Sequence, residues 1–365
     1  MKNTFGTSVS ITLFGESHGE CIGAVIDGLA PGINVDSDFI ASQLTLRRPS
    51  GKISTKRVEN DKYKIVSGVY GNKTTGAPVC IIIPNENAKS SDYERTAFVA
   101  RPGHADYTAH IKYHGFEDFR GGGHFSGRLT AAVVAAGAIA ISALAAKGIH
   151  IATHIRNCAG IEDRDFDNLA EDIVKLNSSQ FAVLDESKGE QMKEAIAKAG
   201  EDGDSVGGIL ETVITGVPAG VGEPWFDTVE SMLSHALFGI PAVKGVEFGR
   251  AFENITLKGS EYNDEFAVKG GKVVTLTNNN GGINGGITNG MPLLFSLAVK
   301  PTPSIFKEQK TVDLNDMKNT TLQIKGRHDP TVIHRARVVV DSVSALVICD
   351  LLAQRYGTDF LGGVV

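Results

Sequence analysis

Apolar and polar positions change their spacing several times along the chain. Residues 7–14 and 21–26 are short runs rich in Ser, Thr, Val and Ile, which predicts two strands broken at 15–19. Residues 36–46 place Ile40, Leu44 and Leu46 at helical spacing behind Asp36 or Ser37 as N-cap. Strands are expected at 63–69, 78–83, 149–155, 208–216, 243–248 and 293–299. Helices are expected at 226–237 and 338–352, and residues 160–200 read as a polar, helical surface insertion ending at Gly200. Residues 84–128 show no clear period, and an irregular stretch of that length is usually functional. Residues 129–146 carry no charge between Arg128 and Lys147. Their number is close to the roughly 18 residues of a membrane span. Alanine dominates them, with Thr130, Gly137 and Ser142 interspersed, so they read as a buried central helix. No fixed-period repeat and no linker divides the chain, which predicts one layered α+β or α/β domain.

Composition narrows the function. Hydrophobic residues make up 42% of the 365 and charged residues 21%, which excludes a wholly disordered chain. A net charge of −6 argues against generic binding to a nucleic-acid backbone, and one Trp argues against base-stacking platforms. A local basic pocket remains open. The 42 glycines exceed the roughly 26 of average usage and fall in clusters, which marks special backbone at particular places. Cys21, Cys80, Cys158 and Cys349 form no CxxC pair, so neither zinc nor a disulfide framework is expected. Four reduced thiols in a cytoplasmic protein is the plain reading, and Met1–Phe5 lacks the character of a signal peptide.

Five constellations carry candidate chemistry. Gly15-Glu16-Ser17-His18-Gly19 brackets an acid, a hydroxyl and an imidazole at a strand end, where His18 is suited to proton transfer. Arg47, Arg48, Lys52, Lys56 and Arg57 form a basic loop suited to phosphate or carboxylate. Arg101-Pro102-Gly103-His104-Ala105-Asp106 leads through His110 and His114 to Arg120, three glycines, His124-Phe125-Ser126 and Arg128. The two histidines have metal-like spacing but no HExxH, and the glycine run lacks the P-loop and Rossmann patterns. Its place before a helix makes an anion site. Residues 278–290, rich in Asn and Gly, expose many main-chain groups and suit a flat polar ligand or a plain hairpin. The fifth constellation is Lys300-Pro301-Thr302-Pro303-Ser304 together with Lys325-Gly326-Arg327-His328-Asp329-Pro330. Together they describe an enzyme for a small anionic, phosphorylated substrate.

In this order the five segments resemble the chorismate synthase family, from about Phe5 to Val343: GESHG, RPGHADYT, GGG followed by xxSxR, GGIxGGIxxG and KGRHDP. The resemblance implies a β-α-β sandwich with helices between antiparallel sheets. It implies anti-1,4 elimination of phosphate from 5-enolpyruvylshikimate 3-phosphate, with reduced FMN required and no net redox change. It implies a homotetramer. It assigns phosphate departure to His104, a place beside the flavin to His18, and a proton relay to Asp329 with Ser17. Arg48 and Arg128, with Arg47 and Lys52 in the same basic region, are the matching substrate positions, and the loop is also linked to NADPH. Flavin positions are His124, Phe125, Ser126, Pro241, Ala242, Gly285, Lys300, Pro301, Thr302, Pro303, Ser304 and Arg327.

The chain departs from the family pattern at several points. Leu46-Arg47-Arg48 keeps two of three arginines, and the loop after Pro49 is one residue short. His124-Phe125 stands where Arg-Ser is usual, Leu129 where Glu is usual, and Pro241 where Asn is usual. No flavin-reductase domain is visible, so an external source of reduced flavin is expected. An inactive flavin-binding homologue and a phosphotransferase are the competing readings.

Overall fold

The structure, a computed structural model, describes residues 2–49, 51, 53–54, 61–86, 98–324 and 328–362. Its first sheet runs Thr4–Phe5, Ser10–Gly15, Cys21–Asp27, Val79–Pro84, Lys64–Ser67, every neighbour antiparallel. Val79, Ile81 and Ile83 are buried while Cys80 and Ile82 are only partly so, the period of two that gives a sheet one inner face. The second sheet runs Val243–Phe248, Leu293–Val299, Gly208–Thr215, His150–Cys158, Ile161–Glu162, also antiparallel.

Helices fill the space between the sheets. α1 (Ser37–Arg47) starts where the Asp36 carboxylate accepts the main-chain N–H groups of Asp38 and Phe39. After α2 (Asp106–Tyr113), the uncharged run forms α3 (Thr130–Ala145), buried at every position from Ala131 to Ala140. α3 packs on Cys21–Asp27 and Val79–Pro84 and against α8 (Ile333–Tyr356), which itself packs on His150–Cys158 and Gly208–Thr215. The apolar surface of α3 is thus used inside the molecule, and the β-α-β sandwich is as expected. α3 and α8 meet almost backbone to backbone. A methyl on Gly137 would come within 2.3 Å of Ser342 Cβ.

Residues 160–200 do more than cover surface. They form α4 (Leu169–Ser178) and α5 (Glu186–Glu201). Ile173 and Leu176 of α4 join Ala152 and Val213 in a small core on the outer face of the second sheet. Ile151, Ile155, Leu210 and Ile214 point the other way, into the main core. The central strands are therefore buried on both faces. α6 (Val229–Leu237) is capped by Thr228, and α7 (Gly259–Tyr262) is a single turn.

Among the described residues, α2 and two hairpins are prominent elements without a forecast. α2 lies in the stretch read as irregular. The hairpins Phe266–Lys269 with Lys272–Thr275, and Gln309–Asp313 with Lys318–Leu322, expose Phe266, Val268, Val273 and Val312, so no apolar stripe marks an inner face. α8 also starts earlier than Val338, because His334, Arg335 and Arg337 in its first turns are held by polar partners.

Candidate functional site

Gly15 closes the first sheet's second strand, and Ser17 and His18 sit on the turn that leads to Cys21. Gly121, Gly122 and Gly123 have φ of 60°, 86° and 52°, a left-handed path that side chains disfavour. The path brings this run against the turn. Ser17 N–H donates to the Gly123 carbonyl at 3.1 Å. The Ser17 hydroxyl donates to the carbonyls of Arg120 and Gly121, each at 3.2 Å. His18 Nδ1 lies 3.1 Å from the same hydroxyl, and with the hydroxyl proton on the carbonyls, Nδ1 is the donor. Any side chain at Gly121 would strike the imidazole, since its Cβ would lie 2.1 Å from His18 Cε1. His124 Nδ1 donates to the Gly15 carbonyl at 2.8 Å, so this side chain ties the glycine run to the strand end.

The neighbouring glycine faces Arg101: a Cβ on Gly122 would lie 3.9 Å from the Arg101 guanidinium. Arg101 grips Asp106 through Nε and Nη2, both at 2.8 Å, and so fixes the start of α2. His104 lies between these two residues. Its Nδ1 must donate to the Pro102 carbonyl at 3.1 Å, which leaves Nε2 facing the Ser304 hydroxyl at 2.9 Å. Burial and then the Arg101 charge pull the His104 pKa down to about 4. Lys300 Nζ donates to the Gly103 carbonyl at 2.7 Å, so segments 300–304 and 101–106 are joined twice. His328 lies against Phe306 with the rings tilted by 54° and their centroids 5.2 Å apart, and its pKa is lowered by burial and by Arg101.

The arginines form a chain of contacts through Asp61 and Asp329. Arg47, at the end of α1, is 3.6 Å from Asp61, whose carboxylate also pairs with Arg128. Asp61 is buried, and the sequence reading had not singled it out. Arg128 further donates to Asn85 Oδ1 at 3.2 Å and to the Pro84 carbonyl at 3.4 Å. Asn85 in turn donates to the Glu16 and Gly19 carbonyls, which links Arg128 to the Ser17–His18 turn. Arg48 is the C-cap of α1. The Asp329 carboxylate is held by Arg335 Nη1 at 2.6 Å, and Arg335 Nε donates to the Arg47 carbonyl at 2.8 Å. Ser17 and Asp329 therefore each have partners of their own.

Ala242 has φ +76°, and its carbonyl accepts from Lys300 N–H at 3.0 Å, so Pro241 and Ala242 lie beside the 300–304 segment. Gly285 sits at the turn of the hairpin Ile283–Asn284 with Ile287–Thr288, whose Gly286 carbonyl accepts the Val229 N–H at the start of α6. Phe125 stacks edgewise on Tyr113 at 5.8 Å. Lys52 and Arg327 lie outside the described residues. His110 bonds Glu117 at 3.0 Å, and His114 caps α2 in the left-handed conformation. A cavity of about 390 Å³ adjoins the glycine run and is lined in part by Arg101, Gly122, His124, Phe125 and Tyr113. Its lining does not include Ser17, His18 or His104. Beside the His104 cluster, Thr302 Oγ1 and His328 Nε2 are buried with no hydrogen-bond partner among the described residues. Buried polar atoms are seldom left unpaired, so these two groups are open to a polar ligand.

The chain matches the family model "Chorismate synthase" over residues 9–353. It is similar to the chorismate synthase of Thermococcus kodakarensis, 47% identical over 96% of this chain and 97% of that one. It is also similar to that of Dehalococcoides mccartyi, 45% identical over 96% of each chain. A solved structure titled "Crystal Structure of Chorismate Synthase" superposes with a TM-score of 0.76 at 28% identity, covering 96% of this chain and 94% of that chain. The shared sandwich, the near full-length matches and the placement of the glycine and histidine motifs lead to one conclusion: the chain belongs to the chorismate synthase family, lyases that act on a phosphate ester.

Proposed function

We propose that the chain eliminates phosphate from 5-enolpyruvylshikimate 3-phosphate in the anti-1,4 sense to give chorismate, with reduced FMN bound and without net oxidation or reduction. The observation that carries this reading is the pair of adjacent glycines, Gly121 against His18 and Gly122 against Arg101, which joins the Ser17–His18 turn to the His104–Ser304–Lys300 cluster. His104 hydrogen-bonds through both nitrogens, and protonation at Nε2 turns that atom into a donor toward a leaving phosphate oxygen. A bound phosphate dianion favours that protonated form, against the burial that lowers the pKa in the free protein. Arg47, Arg48 and Arg128 supply cations for the substrate's anionic groups, and Lys52 belongs to the same basic segment. The two arginines on Asp61 are already neutralised in part, so substrate competes with that carboxylate. Asp329 and Ser17 hold and pass the proton removed from the ring.

Residues 124–126, 241–242, 300–304, Gly285 and Arg327 would hold the flavin. Reduced FMN, when bound, supplies electron density to the breaking C–O bond and a basic N5. The same reading makes the chain a single domain, cytoplasmic, homotetrameric and dependent on an external source of reduced flavin. The test is an anaerobic assay of chorismate and phosphate with chemically reduced FMN, with no flavin, or with oxidised FMN and NADPH. Equal release of both products in the first arm alone is expected. Flavin binding without product would favour an inactive flavin-binding homologue. Turnover in the NADPH arm would remove the need for an outside reductant.

A further inference from the structure

The first turn of α8 reaches both parts of the site. Arg335 spends two arms of its guanidinium: Nη1 on Asp329 Oδ2 at 2.6 Å and Nε on the Arg47 carbonyl at 2.8 Å. Both side chains of the ion pair are largely sheltered, 15% and 11% exposed, so the contact is not an ordinary surface pair. The next residue back, His334, meets the Ser54 hydroxyl through Nε2 at 2.8 Å. Two consecutive residues of a buried helix thus hold Asp329, the end of α1 and the basic segment beyond it.

Resting on the proposed elimination, we infer that Arg335 is the positioning residue for Asp329. It aims one carboxylate oxygen at its own fork and leaves the orientation of the other set. It also fixes the distance between Asp329 and the Arg47–Arg48 end of α1, because one planar group bonds to both. An ammonium has no such fork, so lysine supplies the charge without the two-way alignment. Misplacing a reacting group by about 1 Å costs roughly 100-fold in rate.

The experiment compares the unsubstituted chain with Arg335→Ala, Arg335→Lys, Asp329→Ala and the double variant Arg335→Ala/Asp329→Ala. All are assayed anaerobically with reduced FMN, and kcat and KM are separated. Arg335→Ala is expected to lower kcat roughly 100-fold with KM little changed. Guanidinium chloride at millimolar concentration is expected to restore part of kcat, and methylammonium to restore none. In the Asp329→Ala background the second substitution is expected to cost almost nothing further, because the residue acts through Asp329. If Arg335→Ala does not fold, Arg335→Lys carries the test: a kcat loss at unchanged KM that disappears in the Asp329→Ala background. Wild-type kcat in the Arg335 variants, or an undiminished further loss beside Asp329→Ala, would overturn the inference while leaving the function standing. An unsubstituted chain that makes no chorismate would remove the function and the inference together.

Discussion

His104 has one ring nitrogen committed to a main-chain carbonyl, which can only accept, so the tautomer is set by the backbone rather than by solvent. Its other nitrogen meets a hydroxyl, which can donate or accept. That flexibility lets the imidazole change protonation state without moving. In the ligand-free chain the ring is neutral at pH 7, because its pKa is about 4. An NMR titration of His104 is expected to show a midpoint well below 6.5, moving upward when inorganic phosphate binds. A midpoint at the ordinary value would contradict the burial and the Arg101 effect. Replacing His104 or Asp329 by Ala is expected to leave a folded chain whose turnover falls by roughly 100-fold or more, the scale of general acid–base assistance. Wild-type rates in either variant would remove that residue's role. His104 was legible in the sequence because RPGHADYT is specific. Asp61 was not, because nothing in an acid 14 residues after Arg47 and 67 before Arg128 says that it will bind both. Only the closing of the sandwich brings them together.

At the level of elements, α3 and α8 share the centre of the molecule, and their crossing depends on Gly137. A methyl there would meet Ser342 Cβ at 2.3 Å and Cα at 2.6 Å, and Ser342 is fully buried with its hydroxyl bonded to the Val338 carbonyl. In an exposed helix, Gly→Ala gains about 1 kcal/mol from propensity. Here over-packing costs about 1–3 kcal/mol or more, since both helices are packed on their far sides and cannot part cheaply. The steric cost wins. Gly137→Ala is expected to lower the denaturant midpoint without changing the slope, and a midpoint at or above the unsubstituted value would show that the crossing can relax. Elements with one strong signal were readable: the uncharged run gave α3, and Asp36 marked the start of α1. The hairpins were not, because their apolar side chains face outward: Phe266, Val268 and Val312 are exposed, while Gln309, Thr311 and Asp313 take the half-buried positions. The first turns of α8 were hidden for a related reason. Arg337 is buried there through bonds to Asp341 and to the Leu176 and Ser179 carbonyls, partners that only the folded chain supplies.

Across the whole molecule, four histidines couple folding to pH in opposite directions. His104 and His334 are held down to about 4 and about 3, both first by burial, and His328 is lowered as well. Each is neutral when folded, yet in the unfolded chain each takes up a proton below the ordinary value of 6.5. Their effect is to remove stability as pH falls from about 6.5 toward the folded values. His154 runs the other way. It is fully buried between Asp163 at 2.8 Å and Glu211 at 3.0 Å. Burial alone would lower its pKa, but the two carboxylates outweigh that and raise it. Its stabilisation is complete below 6.5 and is lost as pH rises through the folded value. Asp163 also accepts the N–H groups of Leu184 and Asp185, so this imidazolium fastens the 160–185 segment to the outer face of the second sheet. The thermal midpoint is therefore expected to fall as pH drops from 6.5 to 4.5. His334→Gln is expected to flatten that fall, because the buried ring that resists protonation is gone. His154→Gln is expected to lower the midpoint at neutral and mildly acidic pH and to flatten the alkaline side. Midpoints followed by circular dichroism from pH 4.5 to 9.5 decide this. An acid slope unchanged by His334→Gln, or an alkaline slope unchanged by His154→Gln, would show that other groups carry the coupling.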